Sequence, residues 1–344
     1  MGNKTSAAHR NGDRPDEEKK FLNTDASPNG PRQVLNTENA TRLLNQEVSL
    51  LYERNAGGPA VPESDVDLIQ RLVKDQADPN VRNVDGRTLV SLAAEMCGGC
   101  LGALLASPLM HNPDVPDLKG ITPLMYAAGH DFQNTQRLLE AKANPELKDA
   151  GGSPALFYAA ASGLPKTVRL LLRQPGVDAY TLNCNGDTPL LFAAEHLEVM
   201  RCLLKADADP NAFNRQGTSP LIAAVKHGSV EGVRLLLAQP RIKLDIQTDT
   251  GHTPLMFAVC FDNLDKARLL VKAKASPDVR DNRGQTALIW AAGTGRIESV
   301  ELLLRSFPTM DIRLQDWQGV SALEWARRGK HFDVVSRLLA AGAE

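Results

Sequence analysis

Apolar residues along this chain fall into short stripes of helical spacing that come in pairs, each pair closed by a polar stretch rich in glycine, asparagine, aspartate and proline. Leucine runs such as Leu170–Leu172, Leu235–Leu237 and Leu302–Leu304 mark the buried stripe of the second helix in a pair, 18 residues after a turn glycine. That glycine, followed by a Thr/Ser-Pro-Leu-type tetrad and an alanine pair, recurs at Gly86, Gly120, Gly152, Gly186, Gly217, Gly251, Gly284 and Gly319. The steps are 34, 32, 34, 31, 34, 33 and 35 residues, a mean of about 33. A period of this size builds a stack of like units, not one globular core. The pattern therefore predicts an all-α array of eight helix pairs over residues 83–344.

Each part of the repeat has a physical task. Asp or Asn three residues before the glycine (Asn83, Asp117, Asp149, Asn183, Asn214, Asp281, Asp316; Thr248 is the exception) suits a β-turn. The glycine supplies φ > 0. Thr or Ser caps the first helix, and proline at its first position loses no hydrogen bond. Leu packs inward, and the alanines let neighbouring pairs approach closely. Upstream the pattern changes. Residues 1–35 hold only eight apolar side chains among six basic and five acidic ones, and are read as a disordered tail. Residues 36–82 contain an amphipathic stretch with Leu43, Leu44, Val48, Leu51 and Tyr52 at helical spacing, then a Gly/Pro loop and a half-copy of the repeat. They are read as N-terminal capping helices or a degenerate repeat.

Thr122-Pro-Leu-Met-Tyr-Ala-Ala128, Thr188-Pro-Leu-Leu-Phe-Ala-Ala194 and Thr253-Pro-Leu-Met-Phe-Ala258 carry a specific resemblance to the ankyrin repeat family. The resemblance implies an ankyrin-repeat solenoid of helix-turn-helix units with β-turn fingers, eight to nine repeats long. It implies recognition of proteins by finger tips and by the concave face of the first helices. The chain departs from the family pattern in two ways. Met125, Leu191, Ile222, Met256 or Ile289 stands where the family has histidine, and Gln76, Lys142, Asp207 and Lys274 replace the C-cap glycine. If these residues keep the left-handed conformation, each costs about 0.5–1 kcal/mol. Second helices alternate between an Ala-x-Pro ending (Ala77, Ala143, Ala208, Ala275) and a longer linker broken by Pro108, Pro175, Pro240 or Pro308. Inter-helix glycines (Gly163, Gly228, Gly295) follow the same alternation, so the self-similar unit is two repeats.

Composition narrows the function. A net charge of −2 argues against a nucleic-acid partner. The longest uncharged run, Met96 to Pro113, is broken by three glycines and two prolines and is no membrane span. No apolar leader follows the start, and five scattered cysteines make no disulfide framework, so a cytoplasmic location is expected. There is no Walker loop and no His-Glu-x-x-His, and the seven histidines are dispersed. His130, His196 and His227 read as turn or surface residues. No catalytic residue, cofactor or metal is assigned. Cys97-Gly-Gly-Cys100 has the spacing of a thiol or metal switch, although its place between two helices also explains it structurally.

Two sets of residues remain as candidates for protein binding. Six positions after the glycine stand Tyr126, Tyr158, Phe192, Phe257, Trp290 and Trp325, with Leu92 and Ala223 in the other two repeats. They read either as inter-repeat core or as rigid contacts bordering the groove. Among the turn tips, Arg215, Arg283 and Trp317 are singled out, with Trp317 expected to be exposed and without a packing partner. Met1-Gly-Asn-Lys-Thr-Ser6 fits the N-myristoylation signal, with Gly2 as acceptor. The expected function is a non-enzymatic, monomeric interaction module: a scaffold, adaptor or inhibitor weakly tethered to membranes by one acyl chain. A translocated pathogen effector, or an adaptor presenting a substrate to a larger enzyme complex, are the alternatives.

Overall fold

The computed structural model describes residues 38–44, 46, 67, 70, 71, 73–75, 77–83, 85–96, 98–261 and 263–343. The expected tail, Gly2, Gln76, Cys97 and most of 45–66 lie outside them. Residues 38–44 are helical, with Ala40 and Leu44 fully buried, and the Thr41 hydroxyl accepts from the Asp78 amide at 2.9 Å.

Eight helix pairs follow: α1 (Leu89–Met96) with α2 (Gly98–Leu105), α3 (Pro123–His130) with α4 (Phe132–Glu140), α5 (Ala155–Ala161) with α6 (Pro165–Leu171), and α7 (Pro189–Phe192) with α8 (Leu197–Lys205). The second half has α9 (Pro220–Lys226) with α10 (Val230–Leu237), α11 (Pro254–Cys260) with α12 (Leu264–Lys272), α13 (Ala287–Gly293) with α14 (Ile297–Ser306), and α15 (Ala322–Arg328) with α16 (Phe332–Ala340). Inner helices (odd-numbered from α1) pack on inner helices, and outer on outer. The result is an all-α solenoid. No strand is present among the described residues, only isolated bridges such as Arg82 with Thr88.

The caps form as the sequence predicts. Thr122, Thr188, Ser219, Thr253, Thr286 and Ser321 each accept a hydrogen bond from the third amide of their helix. Pro154 stands in for Thr in the third repeat and offers no side-chain cap. Lys142, Asp207 and Lys274 do take the left-handed conformation, at φ 67°, 60° and 73°. In each case the next residue, Ala143, Ala208 or Ala275, donates back to a leucine carbonyl of the final turn at 2.9–3.0 Å. These alanines are buried, which explains the Ala in Ala-x-Pro.

Two of the long linkers are also hydrogen-bonded to the Ala-x-Pro ending that follows them. Asp114 and Asp245, in the long linkers, accept from the amides of Asn144 and Ser276, the middle residues of the next Ala-x-Pro. Gly163 and Gly295 have positive φ (69° and 71°) and lie under the rings of His196 and His331, but Gly228 does not share that conformation. It is required by close approach: a Cβ there would stand 2.3 Å from the Ala194 carbonyl oxygen. His196 accordingly serves packing, its Nε2 lying 2.9 Å from the Ala161 carbonyl oxygen.

Candidate protein-binding surface

Turns, inner helices and groove-edge aromatics are held by one repeated hydrogen-bond scheme. In every finger the glycine amide donates to the carbonyl of the residue three before it, at 2.8–3.0 Å. Successive fingers are then joined: the amides of Leu118, Ala150, Cys184, Arg215, Asp249, Asn282 and Trp317 donate to the carbonyls of Asp85, Lys119, Gly151, Asn185, Gln216, Thr250 and Arg283. These bonds, 2.8–3.2 Å long, make the fingers a continuous ladder.

The turn aspartate also reaches the inner helix. Asp117, Asp149, Asp281 and Asp316 use Oδ1 for backbone amides of their own turn. Oδ2 accepts from Tyr126 Oη (2.7 Å), Tyr158 Oη (2.6 Å), Trp290 Nε1 (2.9 Å) and Trp325 Nε1 (2.8 Å) respectively. The other four repeats have Asn83 with Leu92, Asn183 with Phe192, Asn214 with Ala223, and Thr248 with Phe257. Every Asp is thus paired with a side chain that donates, and every Asn or Thr with one that cannot. The reason is elementary: an amide has one acceptor oxygen, already used by the turn, and its NH2 would face another donor. Sequence reasoning noted both positions but missed the pairing. The signal was present as Asp with Tyr or Trp nine residues later.

The tether fixes the rings while leaving their faces partly open. Tyr126, Tyr158, Phe257 and Trp290 are half-buried, Phe192 is exposed, and Leu92 and Ala223 are buried. Phe192 ends the one-turn helix α7, because Thr188 and Val199 are two residues closer than the equivalent Ser219 and Gly232. It packs edge-on against Phe157 at 5.5 Å. The Arg87 guanidinium covers Tyr126 at 4.0 Å, and Lys226 lies 5.1 Å from the Phe257 ring centre. Burial, then the bond to the aspartate, pushes the Tyr126 and Tyr158 hydroxyls well above the ordinary tyrosine range. Asp316 goes the other way: burial raises it, but the Val320 amide and the Trp325 indole, with further donors, hold it below the usual carboxylate range.

Arg215, Arg283 and Trp317 lie on the finger tips, and all three are exposed. Trp317 is 64% exposed but, against expectation, it has packing partners. Its ring lies over Gly284, where a Cβ would meet it at 2.6 Å, and the Arg280 guanidinium sits 4.8 Å from its centre. A flat ring over a residue without a side chain explains why the tip tolerates tryptophan.

His252 joins two neighbouring repeats. Its ring stands edge-on to Phe257 (5.4 Å) and Trp290 (4.9 Å), with Nε2 3.4 Å from Asp281 Oδ2. Burial pulls its pKa below the usual histidine value, although the Asp281 carboxylate works against that. The folded pKa therefore lies below the unfolded one, so this contribution to stability is complete above about pH 6.5 and is lost as pH falls through the folded value. The thermal midpoint should fall between about pH 7 and pH 5 more for the native chain than for His252→Gln. Parallel curves for the two would remove His252 from the account.

Cys184, Cys202 and Cys260 are free, and Cys100 is buried. No cluster of three or more metal-ligating side chains occurs among the described residues. No helix among them is long and apolar enough to cross a membrane.

A model of ankyrin repeats in sets of three copies matches overlapping stretches, 96–182, 131–214, 156–248, 196–281 and 255–344. The chain belongs to the ankyrin repeat family. Ankyrin repeats are protein–protein interaction modules. The array is 39% identical over 92 residues to neurogenic locus notch homolog protein 4 of Homo sapiens, covering 26% of this chain and 5% of that protein. It is 32% identical over 109 residues to human Rabankyrin-5 (30% and 9%), and 31% over 94 residues to human transient receptor potential cation channel subfamily A member 1 (27% and 8%). The chain thus spans less than a tenth of the length of these relatives.

Proposed function

We propose that this ankyrin array is a non-enzymatic scaffold, adaptor or inhibitor, and that its partner is a protein held between the finger tips and the groove-edge aromatics. The observation that carries this reading is the row Tyr126, Tyr158, Phe192, Phe257 and Trp290, open on one face. Tyr126, Tyr158 and Trp290 are also pinned through a polar atom. Rings already fixed lose little entropy on binding, which is the condition for a hot spot. Arg215, Arg283 and Trp317 extend the surface along the tips. A chain of net charge −2 suits a protein partner better than a nucleic acid.

Trp317→Ala and Arg283→Ala should each weaken partner capture by roughly 1–2 kcal/mol while leaving the thermal midpoint nearly unchanged. Quantitative affinity capture and a melting curve on each variant check this. The Arg283 backbone bonds to Asp281 and Trp317 survive the change. A lowered midpoint with intact capture would make Trp317 a cover for the finger ladder, and would move the binding surface toward Tyr126 and Tyr158.

The N-terminal hexapeptide supports cytoplasmic residence with peripheral membrane association through an acyl chain on Gly2. Co-expressed with an N-myristoyltransferase, the chain should gain one C14 acyl group by intact-mass analysis, and Gly2→Ala should gain none. It should still partition between membrane and solution, since one chain anchors weakly. An unshifted mass for the native chain would end this part of the reading.

A further inference from the structure

Each finger is entered by a residue four places before its glycine, and in most repeats that residue is polar. Its side chain reaches across to the next finger and donates to the backbone carbonyl at the same position. Arg82 bonds to the Pro116 carbonyl and Arg280 to that of Gln315 at 3.0 Å, Gln247 to that of Arg280 at 2.9 Å, and Lys148 to that of Leu182 at 3.5 Å. The two middle fingers break this row. Leu182 and Phe213 hold the position there, 52% and 62% exposed, and Tyr180, two residues before Leu182, is 54% exposed. Neither Leu182 nor Phe213 has a donor to offer. Among the described residues nothing donates to the carbonyls of Phe213 and Gln247. Pro116 interrupts the row once, whereas Leu182 and Phe213 do so in succession.

We propose that the fingers of Gly186 and Gly217 dock an extended segment of a protein partner that carries two arginines three residues apart. This rests on the reading of the array as a protein-binding module, and adds to it a contact at the foot of the middle fingers. The chain itself shows how arginine fits. The Arg280 guanidinium lies over the Trp317 ring, 4.8 Å from its centre, while its Nη1 donates to the Gln315 carbonyl. A partner's arginine finds the same two elements here: an open apolar or aromatic face for its stem and guanidinium plane, and a bare carbonyl for its N–H groups. Tyr180 and Leu182 supply the first face beside the Phe213 carbonyl, and Phe213 supplies the second beside that of Gln247. Charge selects a cation. Asp178 and Asp209, at the foot of these two fingers, are exposed and give Oδ1 to a backbone amide, while Oδ2 has no donor among the described residues. The nearest lysines along the finger row, Lys148 and Lys243, belong to the repeats on either side. Spacing selects the segment. Packed helices stand about 8–10 Å apart, and a polyproline II strand returns to the same side every third residue, about 9 Å on.

Amide NMR of the isotope-labelled full chain, titrated with the peptide Ac-Arg-Pro-Pro-Arg-NH2 to about 2 mM, tests this. The amides of Asn214 and Thr248 share a peptide plane with the two bare carbonyls, and should shift in a saturable way. Ac-Ala-Pro-Pro-Ala-NH2 should move neither. Leu182→Arg and Phe213→Gln restore the donors that Arg82 and Gln247 provide in their own repeats, and so close the site from within. Each should weaken the arginine peptide by about tenfold or more, with an unchanged thermal midpoint because both positions are exposed. No shift at Asn214 and Thr248 overturns the proposal. So does an alanine peptide that acts equally well, or binding that survives both substitutions. Any of these results leaves partner capture through Arg283 and Trp317 standing, since those tips belong to the last two fingers.

Discussion

Leu236→Ala should destabilise the array by about 2–4 kcal/mol, the range for a fully buried leucine whose cavity cannot collapse. Leu236 has no exposed surface and lies in α10, which packs against α8 on one side and α12 on the other. In a solenoid each repeat is held by its neighbours, so the damage is not confined to one helix pair. Urea unfolding followed by circular dichroism should move to lower denaturant and resolve into two steps, one for each side of the weakened interface. A single transition displaced by less than about 0.5 kcal/mol would mean that Leu236 is not part of a shared core.

Much of this fold was legible because its determinants are local and repeated. The glycine spacing located the turns, Thr-Pro located the helix starts, and even the unusual caps at Lys142, Asp207 and Lys274 were placed correctly, since a helix followed by buried Ala and then Pro leaves little choice at that residue. What sequence could not supply were contacts between repeats. Gly228 looked like Gly163 and Gly295, yet its requirement comes from the Ala194 carbonyl of the preceding repeat. Trp317 looked solitary because Gly284 and Arg280, its partners, lie more than thirty residues away. The aromatic row was found, but whether its rings were core or surface could not be decided from spacing. The structure gives them both characters, with a polar atom tied inward and a face left open.

That double character gives the second large effect. Asp281 is 4% exposed and accepts from the Arg283 and Gln285 amides and from the Trp290 indole, with His252 Nε2 3.4 Å away. Asp281→Ala should cost about 3–5 kcal/mol, because several donors are left unsatisfied at one buried point. Asp281→Asn is the more informative change. Its oxygen can keep the two turn amides, but its NH2 then faces the Trp290 N–H, donor against donor, at about 1–3 kcal/mol. Trp290→Phe alone should cost on the order of 1 kcal/mol through the lost bond. The double variant recreates the arrangement that Asn183 and Phe192 already use in this chain, with no donor left facing a donor. Its destabilisation should therefore be smaller than the sum of the single effects by about 1 kcal/mol or more, read from a double-mutant cycle in urea. Additivity within about 0.5 kcal/mol would show that aspartate and indole are independent, and that the pairing of Asp with Tyr or Trp along the array has no energetic basis. Coupling of the expected size would instead make the finger and the ring one unit, so that a partner pressing on Trp290 would be felt at the tip carrying Arg283.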